Sequence, residues 1–154
     1  LFEQFPSYQQ MGSKAFKPTL RNSKKISSFL NHPEKALSII HVAGSNGKGS
    51  TCSMLSSILT ESEFKVGLFT SPHIKDYTER IRINGVEIPK AYVVHFIDRI
   101  KAANFDFTPS FFEITFGLAL DHFKAEACDI CIVETGLGGK FDATNIINPI
   151  LVAC

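Results

Sequence analysis

Ser38-Ile39-Ile40-His41-Val42-Ala43-Gly44-Ser45-Asn46-Gly47-Lys48-Gly49-Ser50-Thr51 is the stretch on which the reading of this chain turns. A short β-branched run over 38–43 passes through a glycine-rich loop into 50–62, where Met54, Leu55, Ile58 and Leu59 recur at helical spacing. Strand, glycine loop and helix in that order make a phosphate site: glycines let backbone N–H groups turn toward phosphate oxygens, the following helix presents its positive end, and a lysine reaches the β- and γ-phosphates. Lys48 is the lysine here. The strict G-x-x-x-x-G-K-[ST] pattern is not met, because Val42 stands where the first glycine belongs and Gly49 follows Lys48, which moves Ser50 and Thr51 along the chain. A chance glycine-rich turn with a surface lysine is the competing reading. The strand before the loop and the amphipathic helix after it favour phosphate.

Working outward, strands and helices keep alternating. A second strand is expected over 65–69, and 80–83 and 86–88 form a hairpin, since Asn84-Gly85 supplies the positive φ angles of a type I′ turn. Pro89 opens a helix with Val93, Phe96, Ile97 and Ile100 as its buried stripe, ending near Asn104. Ser110-Phe111-Phe112-Glu113 has the form of a capping box, and its helix runs to about 127 through Ile114, Leu118 and Phe123. Residues 129–134 read as a strand and 150–154 as the start of another. Upstream, 19–31 reads as a short helix with Leu20, Ile26 and Leu30 inward and Asn31-His32-Pro33 as its stop, after a loop-rich lead-in holding Pro6, Gly12 and Pro18. Lys14, Lys17, Arg21, Lys24 and Lys25 are a basic patch or, more simply, a solvated face. The alternation predicts an α/β fold with a doubly wound, mostly parallel sheet of four strands and a small β-hairpin insertion.

Composition sets the bounds. The 154 residues carry 16 Lys+Arg against 15 Asp+Glu, and 44% are hydrophobic, including 14 Phe. That suffices for one compact domain, and a net charge of +1 argues against gripping nucleic acid or an acidic membrane. No apolar run approaches the ~20 residues of a membrane span, and with no signal peptide visible a cytoplasmic location is expected. The chain starts at Leu1 and stops within Ile150-Leu151-Val152-Ala153-Cys154, so an internal piece of a longer protein is expected. Of Cys52, Cys128, Cys131 and Cys154, only Cys128 and Cys131 have C-x-x-C spacing; without a second ligand pair they read as small buried hydrophobes rather than a zinc or redox site.

Ligands of open parallel sheets collect at the carboxyl ends of the strands. Three such ends carry suitable material: Gly44 to Thr51, then Thr70-Ser71-Pro72-His73, then Glu134-Thr135-Gly136-Leu137-Gly138-Gly139. Glu134 closes an apolar strand, where an uncompensated carboxylate is costly. A Mg²⁺ ion held by that carboxylate, a hydroxyl and phosphate oxygens would compensate it, and Ser71 is the hydroxyl to pair with it. A salt bridge or helix-end contact for Glu134 and a turn-forming role for Ser71 are the alternatives. His73 reads as a turn residue or one standing behind the ligands.

HVAGSNGKGST, LFTSPH with the downstream ERIRING, SFFE and ETGLGGKFDATN, in this order, resemble folylpolyglutamate synthase and the bifunctional dihydrofolate synthase of the Mur ligase superfamily, from about Phe5 to Pro149. The resemblance implies a central domain of the Mur ligase type, truncated, with 1–37 as an N-terminal lead-in and short helix, 38–154 as a partial ATP-binding domain, and the glutamate-binding C-terminal domain outside this chain. It implies an ATP-dependent ligase in which the carboxylate of dihydropteroate or of a folate glutamyl tail takes the γ-phosphoryl of ATP and glutamate's amine then forms the amide. It also implies that Ser45, Asn46, Gly47, Lys48, Gly49, Ser50 and Thr51 form the nucleotide loop, with Lys48 on the transferring phosphate and Ser71 and Glu134 on Mg²⁺. Phe112 and the Asp142-Ala143 segment would line a pterin pocket, Phe112 by stacking and Asp142 by accepting pterin N–H groups; from the residues alone, Phe112 is equally a core helix position and Asp142 a turn former. Lys140 stands where the family commonly has Arg, which keeps the charge but loses bidentate geometry. A second-metal histidine, a carbamylated lysine and the base contacts would lie beyond Cys154, so this piece alone is expected not to form the amide. A monomer is expected. A P-loop ATPase, a small-molecule kinase or a nucleotide-binding module would use the same first loop.

Overall fold

The computed structural model describes residues 19–137 and 139–154; the expected lead-in up to residue 18, with Lys14 and Lys17, and Gly138 lie outside the described residues. Six strands, β1 (Ile39–Val42), β2 (Val66–Phe69), β3 (Ile81–Ile83), β4 (Val86–Glu87), β5 (Ile130–Glu134) and β6 (Leu151–Ala153), form one sheet in the order β4-β3-β2-β5-β1-β6. The four strands β2, β5, β1 and β6 are parallel, and the hairpin β3-β4 adds antiparallel to the β2 edge. Among the described residues, four helices, α1 (Arg21–Phe29), α2 (Lys48–Glu61), α3 (Lys90–Ala102) and α4 (Phe111–Ala125), cover it.

The two faces follow from the period of two along each strand. Ile39, Phe69, Cys131 and Val133 point into a large core with Ile26, Leu30, Phe96, Ile114, Leu118 and Phe123 of α1, α3 and α4. Ile40, Val42, Val66, Leu68 and Ile132 point the other way, against Cys52, Leu55 and Leu59 of α2. Helices on both faces of a parallel sheet make the fold doubly wound, as expected. Every residue of β1 and β2 is buried, which only a two-sided sheet requires.

Local chemistry sets most boundaries. Asn84 and Gly85 take φ of 48° and 79°, the type I′ geometry, and Asn84 Oδ1 accepts the Val66 N–H at 2.7 Å, which ties the turn to β2. Ser110 Oγ accepts the Glu113 N–H at 3.2 Å while the Glu113 carboxylate accepts the Ser110 N–H at 2.7 Å, so the capping box is formed at both ends. Val93, Phe96, Ile97 and Ile100 are the buried stripe of α3, with Pro89 as its N-cap. Asn31 and His32, at φ of 58° and 48°, stop the chain after α1.

Two expectations need correction. Helix α2 begins at Lys48 rather than Ser50, and its inward face is Cys52, Leu55, Ser56 and Leu59, while Met54 and Ile58 are 60% and 62% exposed. Small side chains at 52 and 56 let the helix lie close to β1, β2 and β5, and that rotation turns Met54 and Ile58 off the sheet. Helix α1 likewise buries Asn22, Ser23 and Ser27 beside Ile26, so its inward face is largely polar. Cys128 and Cys131 are buried in the larger core, with the Cys131 thiol pushed up by hydrogen bonding to Cys128 and by burial. Among the described residues, no helix is long and apolar enough to cross a membrane.

Candidate functional site

The three glycine-rich or polar strand ends meet because of strand order. β5 lies between β1 and β2, so its last residue, Glu134, sits level with Val42 of β1 and just past the Phe69–Val133 pair at the end of β2. The Thr135 N–H continues the ladder onto the Val42 carbonyl at 2.9 Å. From β1 the chain enters the loop 43–47, which is largely exposed, and Gly47 at φ 76° delivers it into α2. No side chain caps that helix end, so its first N–H groups face the loop's mouth. Lys48 Nζ donates to the Gly44 carbonyl at 3.0 Å, arching back over the loop.

Glu134 lies beneath the first turn of α2. Its carboxylate is 3.8 Å from where a Cβ on Gly49 would be, an ordinary contact distance that sets it directly against the start of the helix. The residue is 4% exposed, and among the described residues no basic nitrogen comes within ion-pair distance of it. Burial pushes its carboxyl above the usual carboxylate range; the Ser71 N–H, at 2.9 Å, and the charges of Lys48 and Arg80 offset that in part. It is the backbone N–H of Ser71 that meets Glu134, from a Ser71-Pro72 peptide that is cis. A buried carboxylate with one N–H donor and no ion pair fits a divalent cation. Among the described residues no three His, Cys, Asp or Glu side chains converge, so hydroxyl, phosphate and water oxygens would complete its shell.

Arg80 was not singled out by sequence reasoning, yet it is 5% exposed and close enough to Glu134 for its charge to act there. Its Nε donates to His73 Nδ1 at 2.7 Å, and its guanidinium carbon lies 5.2 Å from the centre of the Phe111 ring. Since Nδ1 accepts, a neutral His73 carries its proton on Nε2; burial and then the Arg80 charge lower its pKa and keep it neutral. The signal in the sequence was an arginine at the head of the alternating Ile81-Arg82-Ile83 strand. Asp76 and Glu79 set the turn that delivers Arg80: Glu79 accepts the backbone N–H groups of Ile74, Lys75 and Asp76 at 2.8–2.9 Å.

Phe112, Asp142 and Ala143 come together through Gly136. The Phe112 ring sits against the Gly136 backbone, half-buried and 5.8 Å between centroids from Phe69. Gly136 and Leu137 each donate an N–H to Asp142 Oδ2, at 3.0 and 2.8 Å. The other carboxylate oxygen accepts the N–H of Thr144 at 3.0 Å and the hydroxyl of Thr144. Asp142 and Ala143 are 4% and 9% exposed, and Asp142 is the N-cap of the turn Ala143–Ile146. Asp142 thus already holds the loop after β5, a role its reading as a turn former only half describes. His41 and Thr144, which sequence reasoning passed over, hydrogen-bond to each other at 2.9 Å behind it.

A glycine-lysine loop at the end of a central parallel strand, running into a helix, with a buried acidic residue at the end of the adjacent strand, defines an α/β fold of the P-loop class. No protein-family model matches the chain. It is similar to the dihydrofolate synthase/folylpolyglutamate synthase of Bacillus subtilis, 41% identical over 142 residues that make up 88% of this chain and 33% of that protein. Among solved structures it resembles Escherichia coli FolC in complex with DHPP and ADP (TM-score 0.84, 37% identity, 89% of this chain and 33% of that one). It also resembles a bifunctional folylpolyglutamate synthase/dihydrofolate synthase with Mn, AMPPNP and L-glutamate bound (TM-score 0.83, 38% identity, 89% of this chain and 34% of that one). Over the region it covers, the chain belongs to the folylpolyglutamate synthase/dihydrofolate synthase family. It spans about a third of the length of these relatives.

Proposed function

We propose that this chain is the ATP-binding part of an ATP-dependent amide ligase that adds L-glutamate to dihydropteroate, to folates, or to both. One observation carries the reading: the buried Glu134 carboxylate lies under the first turn of α2, between the Lys48 loop and Ser71, with no ion pair among the described residues. The bound ADP, AMPPNP, Mn and L-glutamate of the related structures support it.

In this reading 38–154 is the nucleotide-binding core and 1–37 its lead-in. Ser45 to Thr51 wrap the phosphates, and Lys48 exchanges its Gly44 partner for the transferring phosphoryl group. Glu134 and Ser71 would hold a Mg²⁺ ion, which would supply charge neutralisation to ATP. Arg80 adds fixed positive charge behind Glu134, and neutral His73 holds Arg80. Phe112 and the Asp142-Ala143 segment form one wall of the acceptor's pterin pocket. The acceptor carboxylate oxygen attacks the γ-phosphorus and ADP leaves; glutamate's amine attacks the resulting acyl phosphate, phosphate leaves, and the amine's proton passes to solvent. The protein's part is alignment and charge stabilisation. A cytoplasmic monomer belongs to the same reading.

The test is ADP release by the full-length gene product with the acceptor and glutamate omitted in turn. Dependence on both supports the ligase. Release without either assigns a P-loop ATPase, and dependence on the acceptor alone assigns a kinase.

A further inference from the structure

His41 is the one polar residue in a strand otherwise made of Ile39, Ile40 and Val42, and it is 6% exposed. It lies in the middle of β1, level with Val133 of β5 and Val152 of β6, so its backbone is held from both sides. Its Nε2 meets Thr144 Oγ1 at 2.9 Å, across 103 residues of chain. The direction of that bond follows from proton counting. The Thr144 hydroxyl has a single proton and donates it to Asp142 Oδ1, which can only accept; Oγ1 is then left to accept from His41, so Nε2 carries the ring proton. Burial lowers the His41 pKa, which keeps the ring neutral and the tautomer single.

Asp142 receives the Thr144 N–H and hydroxyl on one oxygen and the Gly136 and Leu137 N–H groups on the other, which fills about four acceptor sites. Gly136 is the residue against which the Phe112 ring rests. One hydrogen-bonded series therefore runs from the centre of the sheet to the 136–137 turn, through His41, Thr144 and Asp142 to the Gly136 and Leu137 N–H groups, and the Phe112 ring of the proposed acceptor wall packs against Gly136. We propose that His41 is a positioning residue, which through the Thr144 hydroxyl fixes the Asp142 carboxylate and, with it, the 136–137 turn that seats Phe112. The proposal rests on the ligase reading for its effect on the acceptor, and on the geometry alone for its effect on the turn.

The experiment uses the full-length gene product with Thr144→Val, Thr144→Ser, His41→Leu and His41→Gln. Two readouts are taken: KM for the pteroyl acceptor against KM for ATP, and deuterium exchange of the peptide covering 134–142. His41→Leu, which loses one buried hydrogen bond, is expected to raise the acceptor KM roughly fivefold to tenfold, and Thr144→Val, which loses that bond and the one to Asp142, at least as much, with the ATP KM unchanged. They should also speed exchange at Gly136 and Leu137. Thr144→Ser, which keeps the hydroxyl, and His41→Gln, whose amide can donate in place of Nε2, should restore both readouts to within about twofold. The double variant His41→Leu/Thr144→Val should be no worse than the more affected single one, because both break the same series. If His41→Leu does not fold, the near-isosteric Thr144→Val carries the test. Equal changes in both KM values, or unchanged exchange at 136–137, overturn the proposal. If wild type shows no acceptor-dependent turnover, the ligase reading fails, while the exchange data still decide whether His41 positions the turn.

Discussion

The Phe112 ring occupies the place where a side chain on Gly136 would begin: a Cβ built there lies 2.5 Å from Cζ and 2.9 Å from both Cε atoms. The first turn of α4 and the loop after β5 are therefore seated against each other at a point that only glycine permits. Gly136→Ala should cost about 1–3 kcal/mol, as overpacking does. That corresponds to roughly 2–4 °C of Tm per kcal/mol for a chain of this size. Phe112→Leu in the same background should recover at least half of the loss. Thermal unfolding of the two variants checks it, and an unchanged Tm for Gly136→Ala would disprove the contact.

Among the described residues the Lys48 Nζ hydrogen-bonds to the Gly44 carbonyl alone, on an exposed loop, so its removal should leave the fold intact. Lys48→Ala is expected to weaken ATP binding at least tenfold, since a hydrogen bond to a charged group is worth about 1.5–3 kcal/mol. Calorimetric titration with ATP and a parallel thermal melt separate the two effects. A large drop in Tm with unaltered ATP affinity would make Lys48 a structural residue.

Glu134→Gln keeps the shape and removes the charge. In EDTA the variant should melt at or above the wild-type temperature, because a buried carboxylate without an ion pair opposes folding. The stabilisation that Mg²⁺ with AMPPNP gives the wild type should shrink sharply. Melting curves with and without metal and nucleotide read both; a variant destabilised in EDTA would show that the charge serves the fold.

The turn that carries Arg80 should set an acid limb of stability. The Lys90 ammonium, then the Thr78 N–H and hydroxyl, hold the Asp76 carboxyl well below its ordinary value, and backbone N–H groups of Ile74, Asp76 and Lys75 lower Glu79. Both folded-state values are depressed, so this stabilisation is complete above the unfolded values near 3.8 and 4.5 and is lost as pH falls below them. Asp76→Asn/Glu79→Gln should be less stable than wild type at pH 7 and show a flatter decline from about pH 4.5 downward. Unfolding midpoints measured between about pH 2.5 and 7 test the slope.

Features that depend on neighbours in sequence were legible. The Asn84-Gly85 turn, the Ser110–Glu113 capping box and the Val93-Phe96-Ile97-Ile100 stripe each involve residues within a few positions of one another, and each formed as read. Helix α2 was half legible: Leu55 and Leu59 pack toward the sheet, while Met54 and Ile58 do not, because close approach to the sheet favours the smaller Cys52 and Ser56 on that face. Glu134 and Ser71 could be named as candidates from the strand-end rule. That their contact runs through a backbone N–H could not, since only the paths of β2 and β5 decide it.

By itself the sequence determined the kind of fold and which strand ends carry the candidate site. Alternation of β-branched runs with amphipathic helices demands a two-sided parallel sheet, and the glycines with Lys48 after the first strand put the glycine-lysine loop at its carboxyl edge. The tertiary structure alone decided which groups answer one another across the chain. Setting β5 between β1 and β2 put Glu134 beneath α2 and within reach of the charge of Arg80, and it ran the His41-Thr144-Asp142 series through the core. Those pairings join residues up to 103 positions apart, where no local periodicity or turn chemistry constrains the partner. They are set by burial, which makes an unpaired polar group in the core costly and so favours a bond with whichever other polar group the packing brings beside it.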